Sequence, residues 1–402
     1  MEHYDTIIIG GGAAGLFARA NLTAPTALLL EGGAEVAAKL LITGGGMCNI
    51  TNTLTVQEFL THFATKGQRN FLLPAVQTLP PHALRAWFED HGVPTIERSD
   101  SKVFPASLDA REVRDCLLSA SRIPIRCREK VRAIEREREG FTLTTDGGEY
   151  RAKALIVATG GMSYPATGSD GSLYPLLRKL GHTIVEPKPA LVGLIIRGWR
   201  YSALSGSSME SVTVTATHEG ENKPYYSGHG DLLFTHRGLS GPPILTLSGG
   251  AESGDTITVG FVEEPMERLN AAARFHPQQQ VATLVKEVGL TKALALALLA
   301  SAGIDPSLRW AQIEAKRRRQ LCTLLSAHPF TVERTMGFGS AMVTRGGVAL
   351  GEVNRKTMES RIHSGLFFCG EVLDYDGESG GFNLQGAFST ALLAAHQAGR
   401  IS

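Results

Sequence analysis

The feature that most constrains this chain is a glycine motif near its start, Gly10-x-Gly12-x-x-Gly15. An apolar run at residues 5–9 predicts a buried strand before it, and the pattern over residues 14–22 predicts a helix after it. A second apolar run at residues 27–30 ends at Glu31, which lies 21 residues after the first glycine. Strand, glycine turn, helix, strand and acidic residue in this order predict a βαβ unit that binds a dinucleotide.

Each position of the motif has a physical role. Gly10 permits the tight turn, Gly12 lets the backbone approach a pyrophosphate, and Gly15 allows the helix to pack closely on the strand. The unpaired N–H groups at the helix start would bind the phosphates. Glu31 would accept hydrogen bonds from ribose hydroxyls and would repel a 2′-phosphate, so FAD or NAD is expected rather than NADP. The alternative is an ordinary βαβ crossover with a glycine turn and no ligand.

Length and composition set the outer limits of the fold. At about 150 residues per domain, 402 residues predict two to three domains. A charged fraction of 20% and a net charge of +1 exclude a disordered chain and a uniformly basic nucleic-acid-binding protein. The five cysteines include no C-x-x-C pair, so neither a disulfide framework nor a metal site is expected. The apolar stretch at 293–302 is shorter than the roughly 20 residues of a membrane span, and a cytoplasmic protein without an export signal is expected.

Three kinds of sequence pattern predict an α/β fold with three parts. Continuous apolar runs such as 154–158 favour a parallel sheet covered by helices, short alternating runs favour an antiparallel barrel, and an Ala/Leu-rich stretch favours helices. Two further helices are predicted at 72–91 and 384–398. The predicted parts are a discontinuous Rossmann domain (1–187 and 346–402), an inserted antiparallel β-barrel domain (188–263 and 328–345) and a small helical subdomain inserted in the barrel (264–327).

Six segments of the chain together resemble a known family, the BaiN-like flavoproteins, also called the aminoacetone-oxidase family. In chain order they are Lys39–Asn52, Val103–Ala106, Ala158–Pro165, Leu233–Pro242, Thr357–Ser360 and Gly370–Gln385. The resemblance runs nearly end to end. It implies FAD bound in a glutathione-reductase-type Rossmann domain, an inserted barrel and a helical subdomain. The activities that it implies include oxidation of small amino-ketones, reduction of conjugated double bonds and reduction of ribosomal-RNA uridine.

The resemblance and the glycine motif together imply a set of contacts with FAD. Gly370, Glu371 and Asp374 are expected beside the ribityl chain and pyrophosphate, and residues 381–384 at the isoalloxazine edge. The N-terminus of the closing helix would there stabilise negative charge on reduced flavin. The predicted cofactor-binding residues are Gly10, Gly12, Ala14, Gly15, Glu31, Lys39, Thr43, Gly44, Gly45, Asn49, Val131, Thr159, Gly160, Gly370, Glu371, Asp374, Gly381, Phe382, Asn383 and Leu384.

Two positions depart from the family pattern, and two side chains are candidates for proton transfer. Met47 stands where family members commonly have Arg, and Phe388–Ala391 lacks the small Ser-Gly pair often found there; both indicate a divergent subgroup. Cys48, in the glycine loop, is a candidate proton donor, with core packing as the alternative. His236, at a strand end, is a candidate for proton shuttling or for contact with an anionic substrate, with an ordered loop as the alternative.

Three hypotheses for function follow from these patterns. The first is an FAD-dependent oxidoreductase that exchanges a hydride with a small molecule at the Rossmann–barrel junction. NAD(P)H would be a transient electron donor, because the chain has no second dinucleotide motif. The second is a ribosomal-RNA uridine reductase (dihydrouridine synthase) whose basic run, Lys316, Arg317, Arg318 and Arg319, binds RNA; a solvated helix face is the alternative. The third is a structural flavoprotein without turnover. The substrate and the oligomeric state stay open.

Overall fold

The computed structural model describes residues 1–401. They form eighteen strands, which are β1 (Glu2–Ile9), β2 (Ala27–Leu30), β3 (Thr51–Asn52), β4 (Thr95–Glu97), β5 (Lys102–Pro105), β6 (Ile125–Arg126), β7 (Val131–Arg136), β8 (Phe141–Thr145), β9 (Glu149–Val157), β10 (Ile184–Ala190), β11 (Leu194–Ile196), β12 (Ser208–Thr217), β13 (Tyr226–Phe234), β14 (Gly238–Ser240), β15 (Thr256–Gly260), β16 (His328–Thr335), β17 (Val343–Val348) and β18 (Leu366–Phe368).

The same residues form twelve α-helices. These are α1 (Ala13–Asn21), α2 (Val56–Thr61), α3 (Lys66–Thr78), α4 (Pro81–Asp90), α5 (Ala110–Ser119), α6 (Tyr174–Lys179), α7 (Pro242–Ser248), α8 (Pro265–Phe275), α9 (Val281–Glu287), α10 (Lys292–Ser301), α11 (Ala315–Ser326) and α12 (Phe382–Ala398). The chain divides into a first unit, Met1–Ala190 with the segment from Phe338 on, and a second unit, Leu191–Gly337.

The first unit is built on a seven-stranded sheet. Its strand order is β6-β2-β1-β9-β8-β7, and β18 pairs with β9 as well. The central pairs are parallel, with Ile7 of β1 opposite Leu28 of β2 and Leu155 of β9. These side chains are fully buried, as expected for parallel strands covered on both faces. The α/β fold predicted for this part of the chain is confirmed.

Two helices pack on the sheet next to its glycine turns. Helices α1 and α12 contact each other, and the Phe17 and Phe388 rings lie 5.0 Å apart between centroids. Small residues let α1 pack closely on the neighbouring turns: a Cβ on Gly15 would collide with the Gly10 carbonyl after β1, and a Cβ on Gly370, after β18, would lie 2.8 Å from the Ala14 Cβ. The approach brings the start of α1 and the residues after β18 together at one edge of the sheet.

The single helix predicted over residues 72–91 is wrong. The structure has two helices there, α3 and α4, joined through Leu79 and Pro80. Pro80 is followed by Pro81, and a residue before proline is disfavoured in the helical region. Pro80 has extended backbone angles (φ −72°, ψ 165°) and Pro81 begins the next helix. The predicted closing helix is found, but it starts at Phe382, two residues earlier than expected.

The second unit contains a closed barrel with a helical lobe. The barrel order is β11-β14-β13-β12-β15-β16, every pair is antiparallel, and β16 closes on β11. Inward-facing residues such as Val214, Leu232 and Ile257 are fully buried and fill the interior. Helices α8 to α11 lie between β15 and β16 in the chain and form the lobe. The predicted antiparallel barrel is confirmed.

The strand at residues 343–348 belongs to the first unit. The prediction assigned 328–345 to the barrel, whereas β17 pairs antiparallel with β10, with Val343 opposite Ala190. The second unit ends at Gly337, before β17 begins. A short alternating run shows that a strand exists but not which strand it pairs with, and this is why the two boundaries differ.

Candidate functional site

A cavity of about 640 Å³ lies at the carboxyl edge of the sheet in the first unit. Its walls include the residues that end β1 and β2 and those that follow β9 and β18. The starts of α1 and α12 complete it. Ligands of open α/β sheets bind outside the carboxyl ends of the strands, and this volume is in the range of cofactor and small-molecule sites.

The glycine motif and Glu31 form one end of this cavity. Gly10 has a φ of +102°, and its N–H donates to the Leu30 carbonyl at 2.8 Å. Glu31 Oε2 accepts from the Gly11 N–H at 2.7 Å and Oε1 accepts from the Gly33 N–H at 2.6 Å. The two backbone amides therefore fix the carboxylate at the cavity wall, with its remaining lone pairs available to ribose hydroxyls.

Three features of the cavity fit a dinucleotide. A Cβ on Gly12 would meet no atom within 4 Å, so the space beside it is open. The hydroxyls of Ser169 and Tyr174 are buried and have no hydrogen-bond partner among the described residues, and both residues line the cavity. Buried polar groups without partners are rare in proteins, and a polar ligand would satisfy these. The residues present therefore fit FAD.

An ion pair, a hydroxyl group and a backbone amide form a network at the cavity wall. Lys39 Nζ lies 2.6 Å from Glu371 Oε2 and also donates to Ser163 Oγ. The Ser163 hydroxyl and the Thr344 N–H both donate to Glu371 Oε1, at 2.8 and 2.7 Å. Lys39 and Glu371 line the cavity and are each 21% exposed. The network joins four distant segments and holds one balanced charge pair beside the ligand space.

The N-terminus of α12 is held in place by residues from two other segments. Gly381 has a φ of +84°, and a Cβ there would lie 2.6 Å from the Thr51 carbonyl oxygen. With the amide oriented to satisfy all its contacts, Asn49 Oδ1 accepts from the Gly381 N–H at 3.0 Å. The Asn383 side chain donates to the Gly377 carbonyl at 2.8 Å. Asn383 and Leu384, in the first turn of the helix, then line the cavity.

The predicted cofactor-binding residues fall into two groups. The residues that line the cavity are Gly10, Gly12, Ala14, Glu31, Lys39, Thr43, Val131, Thr159, Gly160, Glu371, Asn383 and Leu384. The residues outside its lining are Gly15, Gly44, Gly45, Asn49, Gly370, Asp374, Gly381 and Phe382. Several of the second group, among them Gly15, Asn49 and Gly381, support the cavity wall through packing or hydrogen bonds.

Sequence reasoning missed several parts of the cavity wall, and the longest of them is residues 165–174. It supplies Ser169 and Tyr174 with their unpaired hydroxyls. The segment follows a buried strand and contains Gly168 and Gly171, both at positive φ. Glycines in a loop that follows a buried strand were therefore present here as at residues 10–15, but farther from the end of the strand.

The two candidate proton-transfer residues lie outside the cavity lining. Cys48 is fully buried, and burial raises the pKa of its thiol to about 12. His236 is exposed in the turn between β13 and β14 of the second unit. Asp374 also lies outside the lining, and burial together with the nearby Asp376 raises its pKa to about 6. At Met47, where family members commonly have Arg, the Arg98 Nη2 of this chain approaches the thioether sulfur at 3.3 Å.

The basic run lies on α11 in the helical lobe of the second unit. Lys316 and Arg319 are exposed. Arg317 donates to the Gly303 carbonyl, and the Arg318 guanidinium lies 5.6 Å from the centre of the Trp310 ring. Two of the four cations are therefore tied to the fold and two extend freely into solvent. The described residues contain no group of three His, Cys, Asp or Glu placed to bind a metal, and no helix long and apolar enough to cross a membrane.

The Rossmann sheet, the glycine motif with Glu31 and the cavity at the strand ends define a dinucleotide-binding α/β domain, and the family match below makes it that of an FAD-dependent oxidoreductase. The chain belongs to the HI0933-like Rossmann-domain family, whose model matches residues 4–397. The resemblance seen in the sequence and the prediction of an FAD-dependent enzyme are confirmed.

Two relatives and one solved structure illustrate the similarity. The chain is 31% identical to a ribosomal RNA dihydrouridine synthase of Haemophilus influenzae over 98% of each chain. It is 29% identical to a 3-dehydro-bile acid delta(4,6)-reductase of Clostridium scindens, over 97% of this chain and 98% of the relative. The fold resembles that of a 3-ketosteroid-delta4-(5alpha)-dehydrogenase of Rhodococcus jostii, with a TM-score of 0.53, 14% identity and coverage of 99% and 97%.

Proposed function

We propose that this enzyme reduces a carbon–carbon double bond conjugated with a carbonyl group, and that its substrate is a uridine of ribosomal RNA. The observation that carries the proposal is the 31% identity over 98% of both chains with a ribosomal RNA dihydrouridine synthase. The bile acid relative supports the same chemistry, because its name also describes reduction of a double bond near a ring carbonyl. A uridine C5–C6 bond and a steroid enone are both polarised by the carbonyl, so both accept hydride at the far carbon.

The residues of the first unit have distinct roles in this reaction. Bound FAD, when reduced, supplies the hydride. The glycine motif and the start of α1 hold its pyrophosphate, and Glu31 holds a ribose. The N-terminus of α12 directs a partial positive charge into the cavity at Asn383 and Leu384, which favours a reduced, negatively charged ring. Lys39 and Glu371 add a charge pair that orients polar groups of the ligand.

The electron donor in this proposal is NADH or NADPH. The chain has one dinucleotide motif, which FAD would occupy, so a nicotinamide donor would bind only transiently. For the RNA substrate, Lys316 and Arg319 on α11 are exposed cations suited to phosphate contacts.

The test is a reduction assay without oxygen, in which the FAD-loaded protein receives NADH or NADPH and unmodified ribosomal RNA. The expected product is dihydrouridine, which mass spectrometry of the digested RNA identifies by its two added hydrogen atoms. A Gly12→Leu protein, which we expect to purify without FAD, is the control. Absence of dihydrouridine from RNA, with the flavin fully reduced, would contradict the proposed substrate.

A small enone is the second candidate substrate, because of the bile acid reductase relative. The same assay with a 4-en-3-one steroid in place of RNA distinguishes the two candidates. Reduction of the steroid but not of RNA would favour a small-molecule reductase. A flavin that neither nicotinamide reduces, but that an amino-ketone does, would favour an oxidase and contradict both.

A further inference from the structure

The first unit contains a second recess, of about 550 Å³, whose lining shares no residue with the dinucleotide cavity. The start of α3 forms one wall, and the loops between β17 and β18 form another. Three arginines line it, Arg345, Arg355 and Arg361. The roles assigned above to the first cavity leave this recess without a function, although its volume also suits a small ligand.

The charges of the recess are not balanced by its own lining. Arg345 is already neutralised, since it makes hydrogen bonds of 3.0 and 2.9 Å to the buried Asp376. Arg355 donates only to the Asn70 carbonyl, at 3.0 Å, and the exposed Arg361 guanidinium has no partner among the described residues. Asp374 is the one carboxylate of the lining. Two guanidinium groups therefore face a single acidic group.

The backbone at the recess adds to the positive potential. Thr65 caps α3, a helix of 13 residues, and its hydroxyl accepts from the Gln68 N–H at 3.1 Å. The first turn of the helix contains no acidic side chain. The positive end of the helix dipole at Thr65 and Gly67 thus borders the same recess as Arg355 and Arg361, which have no carboxylate partner among the described residues.

We propose that this recess binds a phosphate group through Arg355 and Arg361. Guanidinium groups pair with phosphate through two parallel hydrogen bonds, and two of them around one pocket favour phosphate over a singly charged anion. A volume of about 550 Å³ accommodates a nucleotide-sized molecule. The phosphate belongs either to a free nucleotide or to an RNA backbone, and the experiment separates the two sources.

The experiment is isothermal titration of the FAD-loaded protein with pyrophosphate, with ADP and with a short RNA oligomer. Loading with FAD blocks the first cavity, so added phosphate cannot bind there. Arg355→Gln and Arg361→Gln should each weaken pyrophosphate binding about tenfold, the effect of losing a charged hydrogen bond. Arg122→Gln, at an exposed arginine of the same unit outside the recess, is the matched control and should not change it.

A fourth variant tests the sign of the effect. Asp374→Asn removes the one acidic group of the lining and should strengthen pyrophosphate binding. Binding of ADP identifies a free nucleotide, and binding of RNA alone identifies the backbone; either result supports the proposal only where Arg355→Gln and Arg361→Gln weaken it, because RNA that binds through α11 would be insensitive to both. Equal affinity of all five proteins, or no binding of any probe, would overturn it. The readout requires no turnover, so it is independent of the proposed reduction of uridine.

Discussion

Gly12 is the residue whose missing side chain keeps the dinucleotide space open. It caps α1, and a Cβ there would enter the cavity without touching protein atoms. We expect Gly12→Leu to fold with a capping cost of about 1 kcal/mol and to purify without FAD. The ratio of flavin to protein absorbance and a thermal unfolding curve measure the two effects.

The control for this variant is Gly339→Leu. Gly339 also has open space around its Cβ position, has no positive φ and does not line the cavity. That protein should remain yellow. A fully yellow Gly12→Leu protein would show that the glycine motif does not bind the flavin.

Cys48 is better explained by packing than by proton transfer. Its thiol is fully buried outside the cavity, and at a pKa of about 12 it gives up its proton reluctantly. We expect Cys48→Ala to cost about 1 kcal/mol of stability through the lost sulfur contacts, while turnover changes less than about twofold. Steady-state rates at equal FAD content measure this. A large loss of turnover in a folded, flavin-bound protein would restore the catalytic hypothesis.

The residues that sequence reasoning placed best are those whose role is local. Gly10, Gly12 and Glu31 act within one βαβ unit, so their spacing carries the information. Asn49 and Gly381 are different, because the bond between them joins positions far apart in the chain. The family resemblance identified both as part of the site, but only three-dimensional neighbours show that Asn49 supports a helix start.

At the scale of elements, helix α11 carries two kinds of basic side chain: Arg317 and Arg318 contact other parts of the fold, whereas Lys316 and Arg319 extend into solvent. We expect Lys316→Glu with Arg319→Glu to weaken RNA binding about tenfold or more. The slope of the logarithm of the binding constant against the logarithm of the salt concentration should become shallower by roughly 1.5, as the loss of two phosphate contacts predicts. FAD content should not change. Titrations at several salt concentrations measure both effects.

The matched control is Lys223→Glu with Arg122→Glu, which makes the same charge change at exposed positions outside the helical lobe. Equal RNA affinity of the two double variants would exclude α11 as an RNA-binding element. Arg317 and Arg318 are left intact because the Gly303 carbonyl and the Trp310 ring hold them in the fold.

Elements were easier to find in the sequence than their partners. Apolar runs located β1, β2 and β9, because buried parallel strands have a continuous apolar pattern. The pairing of β17 with β10 could not be inferred, since some 150 residues separate them and neither has a distinctive pattern. The break between α3 and α4 is encoded by Pro80-Pro81, because the extended backbone of Pro80 ends the helical pattern that the apolar periodicity of residues 72–91 would otherwise continue.

For the whole molecule, one buried histidine in each unit predicts sensitivity to acid. Burial lowers the pKa of His182 in the first unit and of His328 in the second. His182 contacts Glu352 and Ser360, each at 3.1 Å, and His328 contacts the Tyr201 hydroxyl at 2.5 Å. Neutral rings are therefore part of both folded cores.

The sign of the effect follows from the lowered values. Each neutral ring contributes stability that is fully present above the unfolded pKa of about 6.5 and is lost as the pH falls from that value through the lower pKa of the folded state. We expect the urea midpoint to fall between about pH 7.5 and pH 5. His182→Gln and His328→Gln should be less stable at the higher pH but should show a flatter pH dependence. An unchanged slope in both variants would contradict this origin.

The pairing of β10 with β17 also bears on how such enzymes diverge. Ala190 lies opposite Val343, so the chain leaves the first unit and returns to it at neighbouring points of one ladder. Residues 191–337 form a loop whose ends are already closed by strand pairing, and the entropy of closing a loop rises only slowly with its length. The inserted segment could therefore lengthen or shorten at little cost in loop-closure entropy, while the ladder that closes it keeps the first unit intact.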